Sequence, residues 1–280
     1  DKHHGFKPLF EGFSYVPFND LPALEKALSE ETCAVLIEPI QGEGGVNEAE
    51  ADYLAGLVEL CRTRDILVIF DEVQVGMGRT GALFAHQRYG VDPDIMTLAK
   101  ALGNGLPIGA MLATEDLSEA FGPGSHATTF GGTPLVTAVS LQIVKSLIED
   151  GWIEHCRVVG NYFKERLEDF SRRYDFIKDV RGLGLILGME MGIPGASIVE
   201  ACLRKGFLVN CAQENVLRFL PPLIIGKEEI HTVHLRQKGE MRIKPESNWM
   251  KADAEQYITT NPPGFIWIAD VKSVSYTHLT

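Results

Sequence analysis

The sequence predicts an α/β protein built on a mainly parallel sheet, and three observations carry that reading. Short apolar runs of strand length, at 33–39 (CAVLIEP) and 66–70 (ILVIF), alternate with stretches of helical periodicity. Glycine-rich segments separate them, as loops between buried strands require. Charged residues stand at the carboxyl ends of the runs, where parallel α/β sheets gather their chemistry.

Each element follows in order. Residues 1–20 show no clear periodicity. Asp20 is placed to cap a helix over 21–29, with Leu21, Leu24 and Leu28 on one face. A buried strand at 33–39 runs into a loop at 41–45. A helix over 48–64 carries Leu54, Leu57, Val58 and Cys61 on one stripe. The strand at 66–70 ends at a turn on Asp71, and 75–81 (VGMGRTG) is loop. A helical stretch at 82–90 precedes a strand at 94–98 that leads to Lys100. Gly103, Gly105 and Gly109 punctuate the way to a strand at 108–113. Pro134 opens a long helix to about 149, and the region of Gly151 is a domain boundary. An amphipathic helix at 152–172 follows. Strands at 176–180, 184–191, 207–209 and 216–220, with a helix at 196–205, predict a smaller α+β domain. The organisation is then a large domain over 1–150 and a small one over 151–230. Beyond Ile230 helical periodicity fades, and 231–280, with Trp249 and Trp267, reads as an unrelated tail from a chimeric or misassembled frame.

Composition removes several function classes. The chain has 280 residues, 45% of them hydrophobic, and a formal net charge of −12. That charge argues against a nucleic-acid partner reached through phosphate neutralisation. No run is long and apolar enough to span a bilayer, so no membrane partner is expected. The five cysteines form no C-x-x-C pair, which suits a reducing, cytoplasmic setting with mostly buried thiols. The histidines make no metal cluster. The first residues, Asp1-Lys2-His3-His4, are neither a signal peptide nor a methionine start, so a fragment is expected.

The chemistry sits on a few positions. A carboxylate at one strand end, Asp71, and a lysine at a later one, Lys100, suit pyridoxal phosphate (PLP). The lysine would join the cofactor aldehyde, and the carboxylate would keep the pyridine nitrogen protonated. Singly, Asp71 is equally a helix cap or solvated strand end, and Lys100 a surface charge. The run ending in Asp71-Glu72 also resembles a Walker B strand, but the chain has no G-x-x-x-x-G-K-[ST] loop. The segment 128–134 (TTFGGTP) can hold a phosphate or simply start a helix. Arg218, flanked by apolar residues, wants a carboxylate: that of a substrate or a structural one. The segment 181–188 (RGLGLILG) lacks dinucleotide spacing and reads as a strand with close backbone packing.

Six stretches together resemble one family: IEPIQGEGGV (37–46), VIFDEVQVGMGRTG (68–81), PDIMTLAKALGNGLPIGAML (93–112), SHATTFGGTPL (125–135), VRGLGLILGMEM (180–191) and LRFLPPLIIGKEEI (217–230). Residues 1–230 are similar to the class-III PLP-dependent aminotransferases, in the subgroup with the acetylornithine and ornithine enzymes, and nearer the acetylornithine branch. The resemblance implies the fold-type-I architecture of PLP transferases and amino transfer from N-acetylornithine to 2-oxoglutarate, within arginine biosynthesis. The alternatives it leaves are another ω-amine enzyme (ornithine, 4-aminobutyrate or succinyldiaminopimelate type) or an inactive piece of one. It implies that Lys100 binds the cofactor and moves the proton. Asp71 would meet the ring nitrogen, Val73 a ring face and Gln74 the phenolic oxygen. Thr129 would bind the phosphate of a neighbouring subunit, hence a homodimer. Thr128 and Arg218 would contact substrate, with Glu43 pairing the arginine. Family members begin well before Asp1. The glycine-Ser/Thr/Ala phosphate loop, the stacking aromatic and its neighbouring arginine are missing, so a truncated site with weak cofactor affinity is expected.

Overall fold

The fold was described from a computed structural model, which covers residues 5–9, 11–204, 206–231, 233–236 and 240–243. Helix α1 (Leu21–Ala27) starts where Asp20 accepts the Ala23 N–H at 2.9 Å, with proline in its first turn. Strand β1 (Ala34–Ile37) leads to a two-residue hairpin, β2 (Ile40–Gln41) and β3 (Asn47–Glu48). Helix α2 (Ala51–Thr63) buries Tyr53, Leu54, Leu57, Val58 and Cys61 against β4 (Leu67–Asp71), whose Val68 and Phe70 face the same core. Burial pushes the Cys61 thiol up to about 11, so it stays neutral there.

Strands β1, β4 and β5 (Ile95–Leu98) pair in parallel, and β6 (Ala110–Ala113) closes the sheet antiparallel to β5, in the order β1-β4-β5-β6. The mainly parallel sheet is therefore observed, with its last strand reversed. The strand expected at 108–113 is shorter than its apolar pattern, and the helix expected at 82–90 is only a 3-10 turn, Ala85–Arg88. The reason for the second difference is local. The buried Glu72 carboxylate takes the N–H groups of Ala85 and His86 at 2.5 and 2.8 Å, and Gly90 at φ +67° turns the chain away. Helices α3 (Pro134–Glu149) and α4 (Trp152–Ser171) lie almost where the periodicity puts them.

The second half is a two-layer unit. Strands β7 (Ile177–Leu183) and β8 (Ile186–Met191) form one hairpin, helix α5 (Ala196–Leu203) follows, and β9 (Asn210–Ala212) and β10 (Val216–Phe219) complete an antiparallel sheet ordered β7-β8-β10-β9. The strand expected at 207–209 lies at β9 instead, while Phe207 is buried in the core. Cys156, Val159, Phe163, Leu167 and Phe170 of α4 pack on Leu187, Met189, Leu217 and Phe219 of the sheet. The segment 181–188, expected as one strand with close packing, is packed closely but is the turn of the β7–β8 hairpin. A Cβ on Gly160 of α4 would lie 2.2 Å from the carbonyl of Gly184, which itself sits at φ +57° in the hairpin turn.

Helix α6 (Lys227–His231) is the last helix among the described residues, and β11 (Val233–Arg236) and β12 (Glu240–Ile243) make a short antiparallel pair. Expectations for Asp1 to His4, for Trp249 and Trp267 and for the rest of 244–280 fall outside the described residues. Among the described residues no helix is long and apolar enough to cross a membrane.

Candidate active site

The site forms where the ends of the parallel strands meet the second sheet. Strand β4 delivers Asp71, whose Oδ1 accepts the Val73 N–H at 3.0 Å and the Thr97 hydroxyl at 3.4 Å from neighbouring β5. These bonds fix the carboxylate at the strand end and shape the turn carrying Val73 and Gln74. Two residues past β5, Lys100 sits in the left-handed region at φ +45°. Its carbonyl accepts the N–H groups of Gly103 and Asn104, both at 3.1 Å. The adjoining turn needs glycine at 103, because a Cβ there would lie 2.1 Å from the Leu106 carbonyl.

Desolvation by the surrounding strand ends lowers the Lys100 pKa below that of an ordinary lysine, although the residue itself is exposed. The charges of Glu43, Asp71 and Glu38 pull it back up, and Arg218 lowers it further. Burial likewise raises the Glu38 carboxyl, opposed by the Gly42 N–H, with Asp71 and Glu43 raising and Lys100 lowering it. Glu38, Glu43, Asp71, Lys100 and Arg218 therefore share one electrostatic neighbourhood. A partly desolvated amine beside carboxylates suits a nucleophile and proton carrier.

Arg218 comes from β10 of the other sheet and is only 6% exposed. Its Nη2 lies 2.7 Å from Glu43 Oε1, and its Nη1 donates to Gln74 Oε1 at 3.3 Å. Its buried Nε has no partner. A guanidinium with a donor to spare and an exposed carboxylate as one mate is suited to receive a second carboxylate. This is also where the PLP reading meets the structure: a desolvated amine, a fixed carboxylate and an amide converge, so the residues present fit a carbonyl-bearing cofactor with a basic ring nitrogen.

The structure thus brings together Asp71, Gln74, Lys100, Glu43 and Arg218, with Val73 half-buried in the same turn. It does not join Thr128 and Thr129 to them. Both stand on an exposed segment, where the Thr128 hydroxyl accepts the Gly131 N–H at 3.1 Å. Sequence reasoning passed over Glu38 and met Glu72 only as part of a Walker B-like run, without a role. Glu38 follows β1 as Asp71 ends β4, so the same strand-end logic pointed to it. Nothing local marks Glu72, whose carboxylate is fully buried and also meets His86 Nδ1 at 2.8 Å. Among the described residues, no group of histidines, cysteines and carboxylates could hold a metal ion.

Comparison with known proteins adds an independent line. The family model for aminotransferase class-III matches residues 2–236, and one for a family of unknown function matches residues 215–280. The acetylornithine aminotransferase of Methanocaldococcus jannaschii is 52% identical over 229 residues, which cover 81% of this chain and 57% of that protein. That of Caldanaerobacter subterraneus subsp. tengcongensis is 49% identical over 81% of this chain and 58% of its own length. The chain thus spans less than two thirds of the curated relatives it matches. Among solved structures, the ornithine aminotransferase of Toxoplasma gondii ME49 superposes with a TM-score of 0.78 at 36% identity, covering 82% of this chain and 56% of that one. The acetylornithine aminotransferase of Elizabethkingia anophelis gives 0.75 at 35%, covering 81% and 59%.

Proposed function

Because the chain belongs to the class-III aminotransferases, we propose that it carries PLP-dependent amino transfer, from N-acetylornithine to 2-oxoglutarate, giving N-acetylglutamate semialdehyde and glutamate. The observation that carries the reading is the convergence of Asp71, Lys100 and the Glu43–Arg218 pair from three different sheets. Relatives named acetylornithine aminotransferase, at up to 52% identity, support that donor and a place in arginine biosynthesis. The ornithine enzyme is the second reading, favoured by the Toxoplasma gondii superposition.

When bound, PLP supplies an aldehyde that accepts the amino group and a ring that draws in electrons. Asp71 would hold the proton of the ring nitrogen, its own position fixed by Val73 and Thr97. Gln74 would meet the phenolic oxygen and Val73 a ring face. Lys100 would bind the cofactor and then carry the proton between the amine-bearing carbon of the donor and the carbon of the cofactor's former aldehyde. Desolvation favours its neutral, basic form. Arg218 would orient a substrate carboxylate, and Glu43 would occupy the guanidinium when the substrate brings none. Thr128 would touch substrate and Thr129 the phosphate bound by a neighbouring copy. Their exposure, with Phe130 80% exposed between them and the next helix, supports a partner surface and hence a homodimer. Domains over 1–150 and 151–230 and a cytoplasmic setting complete the proposal. The separate origin of 231–280 also belongs to it, supported by the second family match from 215 onward.

A panel of amino donors with 2-oxoglutarate tests the activity, read as glutamate formed. N-acetylornithine outpacing ornithine supports the main reading, the reverse order the second. No glutamate from any donor contradicts both.

A further inference from the structure

Glu38 lies beside the proposed chemistry without a role in it, yet it makes a specific contact. Its Oε2 accepts the Gly42 N–H at 3.1 Å. Gly42 opens the loop between β2 and β3 whose tip is Glu43, the residue laid on Arg218. We infer that Glu38 is a positioning residue for the Glu43–Arg218 pair: by holding the Gly42 N–H it sets the loop that places the Glu43 carboxylate on the buried guanidinium.

The loop is otherwise held from its sides. The N–H groups of Gly45 and Val46 donate to the Gly42 carbonyl, both at 3.4 Å, at the long end of hydrogen bonding. Asn47 Nδ2 donates to the Gly44 carbonyl at 2.9 Å, and Gln213 Nε2 to the Glu43 carbonyl at 3.1 Å. Those contacts shape the tip. The Glu38 bond ties its first residue to the strand end that also faces Asp71 and Lys100. Gly42 also packs closely on this set: a Cβ there would lie 2.7 Å from Gln74 Oε1, the atom that accepts from Arg218, and would displace that amide. Glu38, Gly42, Gln74, Glu43 and Arg218 are thus one connected set. The set lies between the strand end that presents the amine and the arginine that would take a carboxylate. The inference rests on the amino-transfer reading only for its consequence, that Glu38 governs when Arg218 is free for substrate.

The test needs no cofactor. Phenylglyoxal labelling of Arg218, mapped by peptide mass spectrometry on the full chain, reads how often the Glu43 pair opens. Glu38→Ala is expected to raise the Arg218 labelling rate about fivefold, the population change that one net hydrogen bond carries. Glu38→Gln keeps both the volume and an acceptor for the Gly42 N–H and is expected to label at the parent rate, whereas Glu38→Met keeps the volume without the acceptor and is expected to label as fast as Glu38→Ala, a split that a mere packing role would not produce. Equal labelling of the parent and Glu38→Ala overturns the inference, and so does a Glu38→Gln rate as fast as that of Glu38→Ala. If Glu38→Ala does not fold, hydrogen exchange of the unaltered chain decides. The Gly42 amide should exchange more slowly than the Glu43 amide, and an unprotected Gly42 overturns the proposal. Lys100 labelling by PLP is scored separately. Its loss with the arginine pattern intact sinks the amino-transfer reading alone, and the converse sinks this inference alone.

Discussion

Lys100 holds a backbone conformation at φ +45° that costs a non-glycine residue roughly 1–3 kcal/mol, and such strain concentrates at functional positions. The same residue carries the amine of lowered pKa and is exposed, so its replacement should leave the fold standing and remove the chemistry. Lys100→Ala is expected to abolish glutamate formation while circular dichroism and melting stay close to the parent. Glu38 gives a pH signature. Its folded pKa is raised, so the folded state binds more protons than the unfolded one between the ordinary carboxyl value and the folded one. Stability must then fall as pH rises through that window and stay reduced above it. Glu38→Gln should therefore stabilise the chain at neutral pH and not below the ordinary carboxyl range. Denaturant midpoints at several pH values check this, and a midpoint difference independent of pH would contradict it. Arg218→Lys loses the planar fork and should raise KM for 2-oxoglutarate by roughly 10–100-fold, the worth of a charged hydrogen bond of about 1.5–3 kcal/mol. Asp71, Lys100 and Arg218 were legible because each departs from its apolar surroundings. Glu72 was not, because a buried carboxylate beside another acid is revealed only by the distant Ala85 and His86 N–H groups that satisfy it.

The hairpin β7–β8 meets helix α4 through glycines, and this contact tests the packing between elements. Gly160→Ala would drive a methyl into the Gly184 carbonyl and should destabilise by about 1–3 kcal/mol, the usual range for overpacking. Chemical denaturation reads it directly, and an unchanged midpoint would show that the turn yields. Helices α1 to α4 were legible from apolar stripes and from Asp20 and Pro134, since their cores are set by 3.6-residue spacing. The 82–90 stretch failed for the opposite reason: the same spacing was overridden by Glu72 capturing its first N–H groups. The sense of β6 was also hidden, because an apolar run carries no sign of its direction.

At the scale of the whole molecule, the β2–β3 hairpin and two larger sheets of different topology contribute to one site. Arg79 ties the larger two, donating to the carbonyls of Leu185 at 3.3 Å and of Pro221. The exposed Leu135 and Leu141 on α3, at 68% and 56%, are apolar surface. Under the homodimer proposal they are covered by a second copy. Leu141→Glu should then shift sedimentation of the chain from dimer to monomer, whereas an unchanged distribution would place the contact elsewhere. The antiparallel sheet of the second half was legible in part, in the short strand-like runs and the helix at 196–205 that follow α4. The convergence of Glu43 on Arg218, 175 positions apart by subtraction of their numbers, was not a matter of local pattern. The measurement that tests the central claim most directly is to add PLP to the purified chain, record the visible spectrum, reduce with borohydride and map the labelled peptide. The account predicts a new absorption band and one modified residue, Lys100, lost in Lys100→Ala. No band, or label spread over exposed lysines such as Lys26, Lys145 and Lys178, would contradict it.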